Sequence, residues 1–199
     1  YALAFDASNT LYAGGLFNAV KATTRNNLAA LSTSAALQSW NPNVNSSVNA
    51  LAVKGSTIFA GVQFTTANGG TARNYLAGFN NTNGNVTSFN PNMNSYIYTL
   101  WLTGNALYAG GSFSTANGIA RNYLASFNAG SGALNTWNPN SNNSVYAIAA
   151  SSDTVYIGGY FSTINGAART RFAAVRTSAG TSLLNFDPAP NNLVEITIL

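Results

Sequence analysis

The chain has 199 residues, enough to bury a substantial core without disulfides or a structural metal. Only 6% of them are charged, Cys and His are absent, and the net charge of +4 reflects a shortage of acids more than a surplus of bases. A disulfide framework and thiolate metal sites are thereby excluded, and the scattered Lys and Arg form no basic run of the kind nucleic acid requires.

An alternating segment opens the chain, YALAF from Tyr1, followed by a turn and LYAGGLF, which holds the Gly14–Gly15 pair and Phe17. The loop NAVKATT leads to Arg25. Then come NNLAAL, a small-residue turn, a short segment ending in Trp40, and NPN with Asn43. The same order returns three times. Its second copy runs from VNALAV through IFAGVQF, the loop TTANGGTA with Asn68, Arg73, NYLAGF and Phe89 to an NPN with Asn92. The third runs through YTLWL, LYAGGSF, STANGIA with Asn117, Arg121, NYLASF and Trp137 to Asn140. The fourth runs through VYAIAA, VYIGGYF, STINGAA with Asn165, Arg169, TRFAAV and Phe186 to DPA. Arg25, Arg73, Arg121 and Arg169 are each 48 residues apart.

Every copy holds four short segments rich in Val, Ile, Leu, Tyr and Phe, bounded by Gly, Asn and Pro clusters, and none carries a 3.6-residue period. That predicts four strands and no helix. Four antiparallel strands in a repeat of about 48 residues make the blade of a β-propeller, so the expected fold is all-β. The expected repeats are 1–47, 48–96, 97–144 and 145–193, with 194–199 as the first strand of a fifth. A duplicated first strand points to part of a longer propeller; a complete four-bladed ring with a trailing strand is the rival. Open blade edges would need covering by neighbouring sequence or another subunit. The Gly-Gly pair is expected where blades converge, because missing side chains allow close backbone approach.

The pattern V-x-A-L-A, L-Y-A-G-G-x-F, N-G-x-x-R-N-x-L-A, W-N-P-N resembles the bacterial delta-60 type β-propeller repeats of large secreted and surface proteins, over essentially the whole chain. The resemblance implies a propeller in a secreted or cell-surface setting and specifies no activity.

The four acids, Asp6, Asp153, Asp187 and Glu195, sit at different phases of the repeat, so no carboxylate pair and no Ca²⁺ loop suggests itself. No catalytic, cofactor or metal residue is expected. There is no apolar run of about 18 residues to span a membrane. Blade topology places the loop before the arginine and the NPN loop on one face. Asn68, Asn117, Asn165, Asn43, Asn92 and Asn140 are therefore a candidate ligand face suited to glycans, or simply turn formers. Trp40, Phe89, Trp137 and Phe186 are expected to pack between blades. The four Asn-x-Ser/Thr sequons, at Asn45, Asn80, Asn85 and Asn142, are what chance gives in so Asn-rich a chain. The four arginines are expected to be largely buried and hydrogen-bonded to backbone oxygens, since a planar fork with five donors ties loops better than lysine.

The expected function is that of a non-catalytic propeller segment of a large secreted or cell-surface protein, serving as scaffold, adhesion or protein-interaction module. Its partners would be another protein or further blades. The alternatives are a carbohydrate-binding lectin using the Asn-rich face, and an accessory domain of an enzyme whose catalytic residues lie outside the segment.

Overall fold

The computed structural model describes residues 1–178, 180 and 182–195, and among these the secondary structure is antiparallel β throughout, with no helix. The first repeat holds β1 (Ala2–Phe5), β2 (Leu11–Gly14), β3 (Ala19–Val20), β4 (Thr23–Thr24) and β5 (Leu28–Leu31). The second holds β6 (Val48–Lys54), β7 (Thr57–Val62), β8 (Thr66–Ala67), β9 (Thr71–Ala72) and β10 (Leu76–Asn80). The third holds β11 (Ile97–Thr103), β12 (Ala106–Gly111), β13 (Thr115–Ala116), β14 (Ile119–Ala120) and β15 (Leu124–Asn128). The fourth holds β16 (Val145–Ala150), β17 (Thr154–Gly159), β18 (Thr163–Ile164), β19 (Ala167–Ala168) and β20 (Phe172–Arg176).

In each repeat three strands form a meander, β1-β2-β5, β6-β7-β10, β11-β12-β15 and β16-β17-β20. The middle strand is buried almost end to end, as in the run Ile58 to Val62, because both its faces are covered. The first strand alternates, as β6 does, since one face is only partly covered. Gly55 and Gly104 take positive φ in the turns between first and second strands, where a two-residue hairpin asks for glycine. The fourth apolar segment meets the third strand at one bridge per repeat, Leu31–Leu37, Phe79–Val86, Phe127–Leu134 and Val175–Leu183. The loop before the arginine is itself structured, as the two-residue hairpins β3-β4, β8-β9, β13-β14 and β18-β19.

The chain divides into two compact units, Tyr1–Asn92 and Met93–Leu199, each with two repeats and its own core. Leu28, Trp40, Val48, Ile58, Phe64 and Phe79 fill the first; Leu124, Trp137, Val145, Ile157, Phe161 and Val175 fill the second.

Within the units the repeats meet at glycine. A Cβ on Gly14 would lie 2.7 Å from Val48 Cγ1, and one on Gly110 would lie 2.7 Å from Val145 Cγ1. The valine that opens each following repeat thus seats on the backbone of the one before it. Gly158 receives Val194 in the same way, at 2.8 Å. Of the expected fifth first strand at 194–199, residues 196–199 lie outside the described residues.

Candidate functional site

The recurring polar residues of the loops are engaged with one another. Arg121 donates from Nη1 to Ala120 O at 2.9 Å and from Nη2 to Asn135 O at 2.8 Å. Arg25, Arg73 and Arg169 reach the matching carbonyls of Gln38, Thr87 and Leu184. Each arginine therefore ties its small hairpin to the fourth segment, whose N–H groups still bond to the third strand, as Asn135 N–H does to Ser126 O. All four side chains are partly buried, that of Arg169 being 18% exposed, and every Nε is covered. They lie at the surface because the hairpin strands they follow, Thr23–Thr24, Thr71–Ala72 and Ile119–Ala120 among them, are themselves exposed. Arg121→Lys is expected to lower stability in urea denaturation by about 1–2 kcal/mol, because a lysine cannot serve both carbonyls in the same geometry.

The candidate ligand face resolves into turns. Asn43, Asn92 and Asn140 have φ of +50°, +43° and +48°, and Asn68, Asn117 and Asn165 have +48°, +50° and +51°. This is left-handed backbone, which asparagine tolerates better than other side-bearing residues. The Oδ1 atoms of Asn43, Asn92 and Asn140 accept from the amides of Asn26, Asn74 and Asn122. Asn68 donates to Gly84 O and accepts from Val86 N–H. Two of the sequon asparagines are also clamps: Asn142 Oδ1 accepts the N–H groups of Ser162 and Thr163, and Asn45 treats Thr65 and Thr66 alike. Asn94, outside any sequon, does the same for Ser114 and Thr115.

Trp40 and Trp137 are 2% and 4% exposed, so neither ring can serve as a platform for a sugar. Their indole N–H groups donate to carbonyls of the next repeat, Asn80 O and Arg176 O. Phe89 is buried edge-on to Phe59. Phe186 is exposed by comparison and lies edge-on to Tyr156 and Phe172. The acids are dispersed: Asp6 accepts from Tyr12, Asp153 pairs with Arg176 and Asp187 with Arg169. No group of three or more metal-ligating side chains gathers among the described residues.

The open chemistry lies elsewhere, in a tyrosine cluster of the second unit that the sequence reading did not single out. Tyr98 and Tyr146 stack at 4.7 Å with planes 8° apart, Tyr160 meets Tyr146 edge-on at 5.6 Å, and Tyr96 lies 6.4 Å from Tyr98. Tyr160 is 52% exposed and Tyr96 38%. A β-bulge produces the arrangement. The register of β11 on β12 slips between Ile97 and Thr99, and that of β16 on β17 between Val145 and Ala147, leaving Tyr98 and Tyr146 as the extra residues. Burial first, then the neighbouring Tyr98, Tyr160 and Glu195, hold the Tyr146 hydroxyl above its ordinary pKa, so it stays neutral. Ser112 Oγ lies 3.4 Å from Tyr98 Oη and 3.2 Å from Ser95 Oγ, adding hydroxyls at the edge of the rings.

Two signals in the sequence mark this cluster. The bulge position reads Tyr1, Asn49, Tyr98, Tyr146 through the copies, and the position after the glycine pair reads Leu16, Gln63, Ser112, Tyr160. The bulge position is tyrosine in three copies of four, whereas the position after the glycine pair differs in every copy.

Clefts lie at matching places in the two units. In the first unit, Asp6, Thr10, Tyr12, Gln38, Trp40 and Asn81 help line a space of about 240 Å³. In the second, Ala106, Tyr108, Ser126, Asn135, Trp137 and Thr177 help line one of about 400 Å³. Asp6 accepts from Ser8 N–H, Thr10 N–H and the Tyr12 hydroxyl. Burial alone would raise its pKa, but those bonds outweigh it and hold the carboxyl below its ordinary value.

No protein-family model and no curated protein matches the sequence. Solved structures do. The computationally designed Ika8 protein superposes with a TM-score of 0.70 at 14% identity, over 98% of this chain. The chain spans 50% of the length of Ika8. The computationally designed Ika4 protein gives a TM-score of 0.57 at 15% identity, covering 79% of this chain and 83% of its own. The extracellular domain of BT4673 from B. thetaiotaomicron gives 0.55 at 17% identity, covering 90% of this chain and 20% of its own. At these identities the likeness is one of fold. No helix among the described residues is long and apolar enough to cross a membrane.

Proposed function

We propose that the repeats are blades of a β-propeller and that the chain is a non-catalytic segment of a large secreted or cell-surface protein, a scaffold that presents an adhesion or protein-interaction face. The observation that carries this reading is the tyrosine cluster, whose exposed members Tyr96 and Tyr160 stand where the repeats differ, mounted on arginine, asparagine and glycine positions where they agree. Tyrosine suits such a face, because a large rigid ring with a polar tip contributes contact area at little entropic cost. The dispersed acids argue for binding over catalysis. A secreted or surface setting is supported by the likeness to an extracellular domain and by the repeat pattern.

An array longer than four blades is supported by Leu3 and Phe5, which are 59% and 60% exposed. In the register place of Leu3 stand Leu51, which is half-buried against the core of the first unit, and Ile148, which is 3% exposed in the second. A preceding blade of the same kind would cover Leu3 in the same way.

The test is adhesion of beads coated with the full chain, to one another and to cells, against a Tyr96→Ser/Tyr146→Ser/Tyr160→Ser variant. Adhesion is expected to fall at least tenfold while the thermal unfolding midpoint moves by no more than about 5 °C, since the substituted groups are at the surface. Equal adhesion by the variant, or none by the original chain, would remove the tyrosine face as an interaction surface.

A further inference from the structure

We infer that the cleft beside Tyr108, between the third and fourth repeats, is a binding site for a neutral sugar ring. The two matching clefts make the comparison. In the first unit the Tyr12 hydroxyl is 3.0 Å from Asp6 Oδ2, so its polar tip is satisfied and the carboxylate stands in the cleft. By register Thr103 holds the place of Asp6 in the third repeat, and it does not reach the cleft. Tyr108 therefore has no such carboxylate on its hydroxyl, and with the body of the residue buried it lines a space of about 400 Å³. A hydroxyl without a protein partner at a cleft is available to a ligand, and a cleft of this size lies within the range that holds small ligands.

The groups around it define the ligand. Asn135 uses its amide N–H on Ser126 Oγ, which leaves its Oδ1 as an acceptor. Thr136 and Ser178 add hydroxyls, while the Thr177 hydroxyl is held by Ser152 O. Leu134 supplies the apolar wall. No charged side chain lines the cleft, so nothing there would compensate an ionised ligand. Hydroxyl donors, one amide acceptor and an apolar wall match a molecule with vicinal hydroxyls on one edge and C–H groups on its face, which is a pyranose. The site is independent of the tyrosine face, since Ala106 and Ser112 bracket β12 and belong to the cleft and the face respectively.

The experiment is a titration of the full chain with galactose, mannose and N-acetylglucosamine, followed by ligand-observed NMR and by calorimetry. At least one of the three is expected to bind with saturation in the millimolar range or tighter. Tyr108→Phe should weaken it about five- to tenfold and Tyr12→Phe should leave it unchanged. Thr103→Asp, which imports the carboxylate of the first unit, and Ser178→Trp, which fills the mouth, should each abolish binding; they keep the proposal testable if Tyr108→Phe disturbs folding. Absence of saturable binding by all three sugars overturns the inference, as does unchanged affinity in the Ser178→Trp variant. Loss of bead adhesion in the tyrosine-face variant with sugar binding intact would separate this site from the proposed interaction face.

Discussion

Trp137→Ala is expected to destabilise the protein by about 4 kcal/mol and Trp137→Phe by about 1–2 kcal/mol, read from equilibrium denaturation. Trp137 is 4% exposed and its ring stands edge-on to Tyr108 at 5.0 Å with planes 77° apart. Truncation removes that contact, opens a cavity beneath the cleft and leaves Arg176 O without the indole N–H that reaches it at 3.0 Å. Phenylalanine would keep most of the burial and lose the bond between repeats. The chain contains the natural counterpart: Phe89 fills the same phase of the second repeat, edge-on to Phe59 at 4.8 Å and 72°. Trp40, with Tyr12 at 5.0 Å and Asn80 O at 2.9 Å, should behave as Trp137 does. A cost below about 1 kcal/mol for Trp137→Ala would mean that the interface between repeats does not depend on this ring.

The period of the fold is legible in the sequence because each of its devices is local. Glycine pairs, apolar runs and left-handed asparagines act within a few residues of where they are written, and four copies remove most of the ambiguity of one. Longer-range consequences are harder to read. The arginines mark every repeat, yet nothing in their spacing says that the hairpin they hold stands at the surface. Tyr75 and Tyr123 take φ of +62° and +64°, a strained choice for tyrosine that no propensity would assign. Backbone bonds impose it: Tyr123 N–H donates to Phe113 O while Tyr123 O accepts from Gly111 N–H. Between the two readings of the recurring asparagines, ligand face or turn formers, the sequence does not choose, because the partners lie 16 or more residues away: Asn43 meets the amide of Asn26 and Asn68 meets Gly84 O. The tyrosine cluster depends on a one-residue bulge, which turns Tyr98 and Tyr146 out of the alternation that a strand pattern assumes. Two signals could have found it: tyrosine in three of the four bulge positions, and disagreement among Leu16, Gln63, Ser112 and Tyr160, the latter opposite in kind to the recurrence that revealed the fold.

Gly110→Val is expected to cost about 3 kcal/mol. A Cβ at Gly110 would lie 2.7 Å from Val145 Cγ1, 2.8 Å from Thr99 Cγ2 and 3.1 Å from Ile148 Cδ1, so the new side chain presses on its own sheet and on the next repeat together. Both are well packed, and neither can retreat without opening the other. At Gly111 the obstacle is backbone: Tyr96 O, which approaches so that it can accept from Ser112 N–H at 2.9 Å, with Tyr96 C at 3.0 Å and Ile97 Cα at 3.1 Å behind it. The second repeat shows how that obstacle is removed. It carries Val62 in this place, and no bond from Gln63 N–H to Ser47 O is made there. The fold thus tolerates a branched side chain at the second glycine by giving up one hydrogen bond, worth about 1 kcal/mol. It offers no such precedent at the first, where Gly14, Gly61, Gly110 and Gly158 all stand. If contact with Val145 is the cause, Val145→Ala should partly rescue Gly110→Ala, with a coupling energy of about 1 kcal/mol or more in a double-mutant cycle. Additive costs would instead place the glycine requirement within the strand itself, and the seating of each repeat on the one before it would need another explanation.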